Sequence, residues 1–384
     1  MSTTEARVDG TSAAEVIALA RELLAIDTAN PPGNELAAAD HMADWLRGAG
    51  IETTVQPFGD GRGNVLARVP GNGERPGLVF SGHLDTDPVG PQAWKHAPRA
   101  GVVEDGRLYG RGALDMKGSV AAMALALRDL HRSGRRPAGD VVLALTAGEE
   151  SDSCGARLMA ESGMLDDAGS IVIGEPTGFD VGNAHRGALW IRAEASGVRG
   201  HSSKPDRATN ALCRLLDWLH PLDEIEALVA GVTDPLLGPA SMSLNVISGG
   251  DAPNVAPDFA AATLDFRTVP GQRHDEILSA LRERDDRVEI VVLRDAPPVF
   301  VEEDSKLVRT ALHAVTAVLG APAQTRGLPY LTDASAFVDV LGIPAVIVGP
   351  GPESRAHTVD EFLEVEALVQ AIDIFRRIAE QLAF

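Results

Sequence analysis

The sequence predicts an α/β fold: a three-layer, doubly wound, mainly parallel sheet interrupted by an inserted ferredoxin-like α+β module. Three observations point there. Short continuous aliphatic runs at residues 78–80, 141–145, 171–173 and 345–348 alternate with helical periodicities, the pattern of strands buried on both faces. Between about residues 184 and 297 those runs give way to alternating apolar and polar positions, as in strands with one solvated face. A chain of 384 residues with 45% apolar side chains has ample material for both cores.

Taken in order, Ser12-Ala13-Ala14-Glu15 has capping-box spacing and opens a helix with Val16, Leu19, Leu23 and Leu24 on one side. The run at 78–80 is the first buried strand, and a helix from about Leu114 follows, with Val120, Met123, Leu127 and Leu130 at helical spacing. Residues 141–145, 171–173 and 345–348 supply the next three strands, and a C-terminal helix carrying Leu368, Ile372, Phe375, Ala379 and Leu382 closes the domain. Inside the insert, 188–195 reads as a strand, 209–219 as a helix, 241–247 and 260–267 as strands, 275–284 as a helix and 288–293 as a last strand. Asp295-Ala296-Pro297-Pro298 is the return hinge. The expected organisation is therefore a first domain at 1–184, the insert at 185–297 and the return of the first domain at 298–384.

Charge narrows the partners. Lys and Arg total 34 against 55 Asp and Glu, a net −21, with no basic run, so phosphate backbones and anionic lipid are repelled and neither nucleic acid nor membrane is expected as a partner. Cys154 and Cys213 form neither a zinc-ribbon set nor a redox pair and read as inert thiols. Without an apolar leader or a span of some 18 apolar residues, a cytoplasmic protein is expected. Gly71-Asn72-Gly73 lacks the strand-to-helix context of a phosphate loop.

In an open parallel sheet, ligands bind beyond the carboxyl ends of the strands. Behind the first strand stands Ser81-Gly82-His83-Leu84-Asp85, behind the second Thr146-Ala147-Gly148-Glu149-Glu150, and behind the third Gly174-Glu175-Pro176. A loop ending in Arg355-Ala356-His357 follows the fourth, and Asp115 opens the helix behind Gly110-Arg111-Gly112. Singly, each has a structural reading: a surface histidine, a helix cap, a solvated acidic pair. Together they place two imidazoles and several carboxylates along one sheet edge, where the acids would repel one another unless cations lay between them. That donor set suits zinc, or its neighbours cobalt and manganese, better than calcium. Asp115, Glu150, Glu175 and a hydroxide would balance two divalent ions, which would activate water for hydrolysis.

SGHLDTDPVG, GRGALDMKG, TAGEESDSCGA, IGEPTG, RGHSSKP and AHTVDEF, in this order, resemble the co-catalytic zinc family of aminoacylases, acetylornithine deacetylases, succinyl-diaminopimelate desuccinylases and glutamate carboxypeptidases. The resemblance runs from about Asp27 to the C-terminus and implies that the insert is a lid and dimerisation domain, giving a homodimer. It implies that Asp115 bridges two ions, that His83 and Glu175 complete one site, and that Glu150 and His357 complete the other. By the same likeness Glu149 is the general base, Asp85 orients the His83 imidazole, and the Asp115-Met116 peptide is cis. His201 would help hold the oxyanion, reaching in from a partner subunit, while Asn254 and Arg267 would bind a substrate carboxylate. One departure stands out: in Trp94-Lys95-His96-Ala97-Pro98-Arg99 an arginine occupies the place where relatives carry an aromatic residue.

The activity so implied is removal of an acyl group, acetyl or succinyl in type, from an amino-acid nitrogen. Carboxypeptidase or dipeptidase action by the same chemistry is the alternative, and residues 330–337 sit where relatives differ in their pocket. A silent binding protein on this fold is disfavoured because every ligand and the base are present, and a serine hydrolase because no G-x-S-x-G elbow occurs.

Overall fold

The structure, a computed structural model, describes residues 13–384 together with the backbone of Arg7–Val8 and Thr11–Ser12; the capping side chain expected of Ser12 lies outside the described residues. The chain forms two compact units, one comprising residues 1–183, 300–326 and 332–384 and the other residues 184–299 and 327–331.

The first unit begins with helices α1 (Ala13–Ala25) and α2 (Glu35–Gly48), then strands β1 (Glu52–Phe58), β2 (Arg62–Val69) and β3 (Gly77–His83). Next come α3 (Lys117–Arg132), β4 (Val141–Thr146), α4 (Cys154–Glu161), β5 (Ala168–Ile173) and β6 (Val181–His185). The second unit holds β7 (Gly187–Ser196), α5 (Ala211–Leu219), β8 (Ser241–Gly249), β9 (Phe259–Thr268), α6 (His274–Glu283) and β10 (Val288–Ala296). The return to the first unit supplies α7 (Lys306–Leu319), α8 (Ala334–Leu341), β11 (Ala345–Ile347) and α9 (Val365–Leu382).

At the centre of the large sheet, β11, β5, β3 and β4 lie side by side and parallel. Antiparallel strands flank them: β2 and β1 beyond β4, and β6 beyond β11. The mainly parallel sheet is thus present, with antiparallel edges that the aliphatic runs did not disclose. β1 and β2 escaped that reading because Thr53, Thr54, Gln56, Asn64 and Arg68 break up any apolar run. β3 and β4 are buried at every position, which requires cover on both faces. Val141, Leu143 and Leu145 join one cluster with α3, α1 and α9, and on the alternate face Val142 and Ala144 are also buried, with α4 packed on β4.

In the second unit the sheet order is β8-β9-β7-β10, all antiparallel. Strand, helix, two strands, helix, strand is the order read from the sequence, and the alternate residues Leu189, Ile191, Ala193 and Ala195 of β7 pack on Leu215 and Trp218 of α5 and on Leu281 of α6. The helix expected from Thr209 begins at Ala211, because the Asn210 side chain caps it by accepting from the Leu212 and Cys213 amides.

Candidate metal centre

The parallel strands end at one edge, and the turns beyond them carry the chemistry. β3 ends in His83; β4 is followed by Gly148, whose φ of +87° lets the chain double back so that Glu149 and Glu150 follow at once. β5 leads to Glu175, and the loop after β11 reaches His357. Two clusters result: His83, Asp115 and Glu175 form one, Asp115, Glu150 and His357 the other, each with its ligand atoms within 4.8 Å of one another. His83 Nε2 lies 3.1 Å from Asp115 Oδ1 and 3.5 Å from Glu175 Oε1. His357 Nε2 lies 3.3 Å from Asp115 Oδ2 and 3.1 Å from Glu150. Asp115 therefore presents one oxygen to each cluster.

Tautomer and orientation follow from the backbone. His83 Nδ1 donates to the carbonyl of Asp85 at 3.0 Å, and because a carbonyl can only accept, Nδ1 carries the proton and Nε2 is turned toward the acids. The Asp85 carboxylate is 3.6 Å from the same ring and grips the base loop instead: Oδ1 accepts the amides of Gly148 and Glu149 at 3.0 and 3.2 Å, Oδ2 that of Glu150 at 3.1 Å and the Asn30 side chain at 2.9 Å. The imidazole is thus held by the backbone of Asp85, while the Asp85 carboxylate holds the amides of Gly148, Glu149 and Glu150.

Asp115 does not cap the helix behind it. Helix α3 starts at Lys117, no side chain caps it, and the Asp115-Met116 peptide is cis, as the resemblance implies. What holds the loop is Glu361, a buried carboxylate whose Oε1 accepts the amides of Gly112, Leu114 and Asp115 at 3.0, 2.9 and 3.1 Å. Arg111 donates to its other oxygen at 2.7 Å. Sequence reasoning missed both residues: Glu361 stands in the quoted AHTVDEF segment, but its partners lie some 250 residues away in the chain. Arg99, at the departure from the family pattern, forms an ion pair with Asp27 and touches no ligand of either cluster.

So many acids in one place perturb each other. Burial, with the nearby charges of Asp333, Glu150 and Asp115, holds the Glu149 carboxyl well above the usual range. Glu175 is likewise held well above it by burial and by Asp115, Glu149 and Glu150, and Glu150 is raised by burial. Asp115 goes the other way: burial opposes its ionisation, but the two imidazoles outweigh burial and keep it below the ordinary range. Hydrogen bonds to Asp115 and Glu150 push His357 up to about 11. Burial lowers Lys117 to about 7, and it donates to the carbonyls of Leu23 and Ile26 at 3.0 and 2.9 Å.

His201, Asn254 and Arg267 belong to the second unit. His201 is exposed and pairs with Val255 in a short antiparallel ladder; Ser202 donates its amide and hydroxyl to the Asn254 carbonyl at 3.0 and 3.1 Å, so the structure brings these two segments together. Arg267 is not part of that group. It lies eight residues along β9 from Phe259, roughly 26 Å at about 3.3 Å per residue. Its guanidinium pairs with Asp265 at 3.0 Å and stands 5.9 Å from the Trp190 ring.

The family model described as peptidase family M20/M25/M40 matches residues 79–381. A probable succinyl-diaminopimelate desuccinylase of Staphylococcus aureus strain N315 is 29% identical, with 96% of this chain and 97% of that protein aligned. An acetylornithine deacetylase of Proteus mirabilis strain HI4320 is 30% identical, covering 93% and 92% respectively. Among solved structures, an M20 family metallo-carboxypeptidase of Sulfolobus solfataricus superposes with a TM-score of 0.77 at 20% identity over 96% of this chain and 99% of that one.

Proposed function

Given that this chain belongs to peptidase family M20/M25/M40 and is an enzyme hydrolysing amide bonds, we propose that it removes an acetyl- or succinyl-type acyl group from an amino-acid nitrogen. The observation that carries the reading is the pair of ligand clusters meeting at Asp115 beside Glu149. Two relatives whose names denote desuccinylation and deacetylation, similar over nine-tenths or more of both chains, support acyl transfer to water over cleavage of peptides.

Three carboxylates and two imidazoles within so small a span fit a pair of divalent cations, for which Asp115 would be shared, His83 and Glu175 would complete one set, and Glu150 and His357 the other. Zinc is the ion proposed, with cobalt and manganese as substitutes for the same donors. When bound, such a pair lowers the pKa of water and polarises a carbonyl. The chain's own residues do the rest. The Glu149 carboxylate takes a proton from the attacking water and passes it to the leaving nitrogen, a task suited to an acid whose proton affinity is raised. Asp85 keeps that carboxylate in place through the Glu149 amide.

We assign the second unit the part of lid and dimerisation domain. β8 is an exposed edge strand whose Val246 and Ile247 are 55% and 51% accessible, a surface that a second copy of the chain would cover by pairing edge to edge. In such a homodimer His201 of one subunit would steady the oxyanion of the other, while Asn254 and Arg267 would bind the substrate carboxylate. Arg267 lies far along β9 from the end of the strand that follows Asn254, an arrangement accommodated if the two serve sites in different subunits.

A panel of N-acetyl, N-succinyl and N-formyl amino acids beside simple dipeptides, assayed with zinc or cobalt, tests the assignment. Turnover of acyl amino acids that is lost with phenanthroline and restored by either metal is the expected result. Turnover of dipeptides alone would make the enzyme a peptidase, and activity surviving complete chelation would remove the metal mechanism.

A further inference from the structure

The loop that carries His357 is an improbable one. His357 has a φ of +59° and Asp360 of +57°, the left-handed region that residues other than glycine enter infrequently, histidine and aspartate more readily than most, and the His357 side chain is half exposed. Such a backbone persists only where its surroundings over-determine it. The surroundings can be named. Asp360 accepts the Lys95 amide at 2.7 Å. Phe362–Glu364 pairs in an antiparallel ladder with Arg107–Tyr109, so the residues that follow Tyr109 and precede Phe362 leave the ladder side by side. At that exit the Gly110 amide donates to the Glu361 carbonyl at 3.0 Å.

Beyond it stands an ion pair whose side chains are 5% and 0% accessible, Arg111 and Glu361. The guanidinium divides its hydrogens among three segments: Nη1 donates to Glu361 at 2.7 Å, and Nη2 to the carbonyls of His357 and Pro88, both at 3.4 Å. Trp94 covers it at 5.2 Å. Glu361 in turn holds the amides of Gly112, Leu114 and Asp115. A single buried pair therefore joins the turn after His83, the loop of Asp115 and the loop of His357.

We infer that Arg111 and Glu361 are positioning residues which brace the strained His357 loop against the Asp115 loop, and so control occupancy of the ion site formed by Asp115, Glu150 and His357 rather than the one formed with His83 and Glu175. The inference rests on the two-ion reading above. Asp115 serves both sites, but the His357 loop serves only one, and the Arg111–Glu361 pair is the contact that ties the carbonyl of His357 itself to the Asp115 loop.

The experiment is a zinc and cobalt titration of the full-length chain with metal content, circular dichroism and the cobalt electronic spectrum read together, on the wild type, Glu361→Gln, Arg111→Met and the double variant. Glutamine keeps an oxygen for the three amides and loses the ion pair. Both single variants are expected to remain folded, to bind the first equivalent within about twofold of wild type and to weaken the second 10- to 100-fold, the range typical of groups that orient ligands. The double variant should be no worse than either single one, as expected of two residues acting as one brace. The cobalt spectrum of Glu361→Gln at one equivalent should match that of His357→Ala. Should Glu361→Gln not fold, Arg111→Lys, which keeps the charge and loses the fork, is expected to weaken the second equivalent alone. Wild-type affinity for both equivalents in the variants, or equal weakening of both, overturns the brace while leaving the proposed function standing. A wild-type chain that takes up no divalent ion refutes both.

Discussion

Replacing Asp85 with asparagine disturbs the centre without touching a proposed ligand, and the structure sets the size of the effect. Four donors converge on this carboxylate: the amides of Gly148 and Glu149 on one oxygen, and the Glu150 amide and the Asn30 side chain on the other. In Asp85→Asn the amide oxygen serves one pair, and the NH2 group faces the other pair donor to donor. Two buried donors lose their acceptor at about 1–3 kcal/mol each, and partial relaxation brings the sum to about 3 kcal/mol. That relaxation must move the segment from Gly148 to Glu150, so the second cost falls on Glu149 and Glu150. Denaturant unfolding of the metal-free protein should show the lost stability with an unchanged m value. Zinc titration should show affinity lower by about 10- to 100-fold, and kcat should fall further than metal saturation can restore. A stability change below about 0.5 kcal/mol, the range of ordinary surface substitutions, together with wild-type zinc affinity would refute the role drawn for the carboxylate.

Metal-free protein should lose stability as pH rises. Glu149, Glu150 and Glu175 are raised from 4.5, Asp333 is raised to about 6 and Glu361 to about 7, so the folded chain holds more protons than the unfolded one from about pH 4.5 to 7. The stability these groups contribute is complete below their unfolded values and is lost as pH passes their folded ones. His185, lowered by burial to about 4 from 6.5, opposes them across this window, and Lys117, lowered by burial to about 7 from 10.5, opposes them at its upper end, two groups against five. Melting temperatures in chelator should therefore fall from pH 5 to 7, and saturating zinc should flatten the slope; a rise in chelator would contradict the crowding of acids at the centre. Glu149→Gln should keep its full metal complement while kcat drops by about 100-fold or more, and an unimpaired kcat would remove Glu149 from proton transfer. His201→Ala should lower kcat at unchanged metal content. Mixing it with Asp115→Ala should regain activity if the histidine acts across a dimer, and no recovery in a demonstrated mixed dimer would place its action within one subunit.

Much of the fold was legible because aliphatic runs report burial on both faces. The central strands fell where 78–80, 141–145, 171–173 and 345–348 stand, and α3 began three residues later than Leu114, where the Asp115 loop is wound around Glu361. Helix α2 and strands β1 and β2 were not read, since α2 mixes Asp40, His41 and Asp44 among its alanines and the strands carry polar residues at most alternate positions. Residues that present their chemistry at strand ends were found because position alone marks them. Arg111, Glu361 and Asn30 were not, for they act through backbone amides or on residues far away in sequence, and no spacing announces such contacts.

The place of β11 in the large sheet bears on how the enzyme is made. Ala345–Ile347 lies between β5 and β6, strands that leave the ribosome more than 150 residues earlier. Until then the nascent sheet has a gap bordered by unpaired backbone, and His357 has not been synthesised. Insertion of that late strand both seals the vulnerable edges and brings in the His357 loop, so closure of the sheet during biogenesis and completion of the cluster of Asp115, Glu150 and His357 become one event.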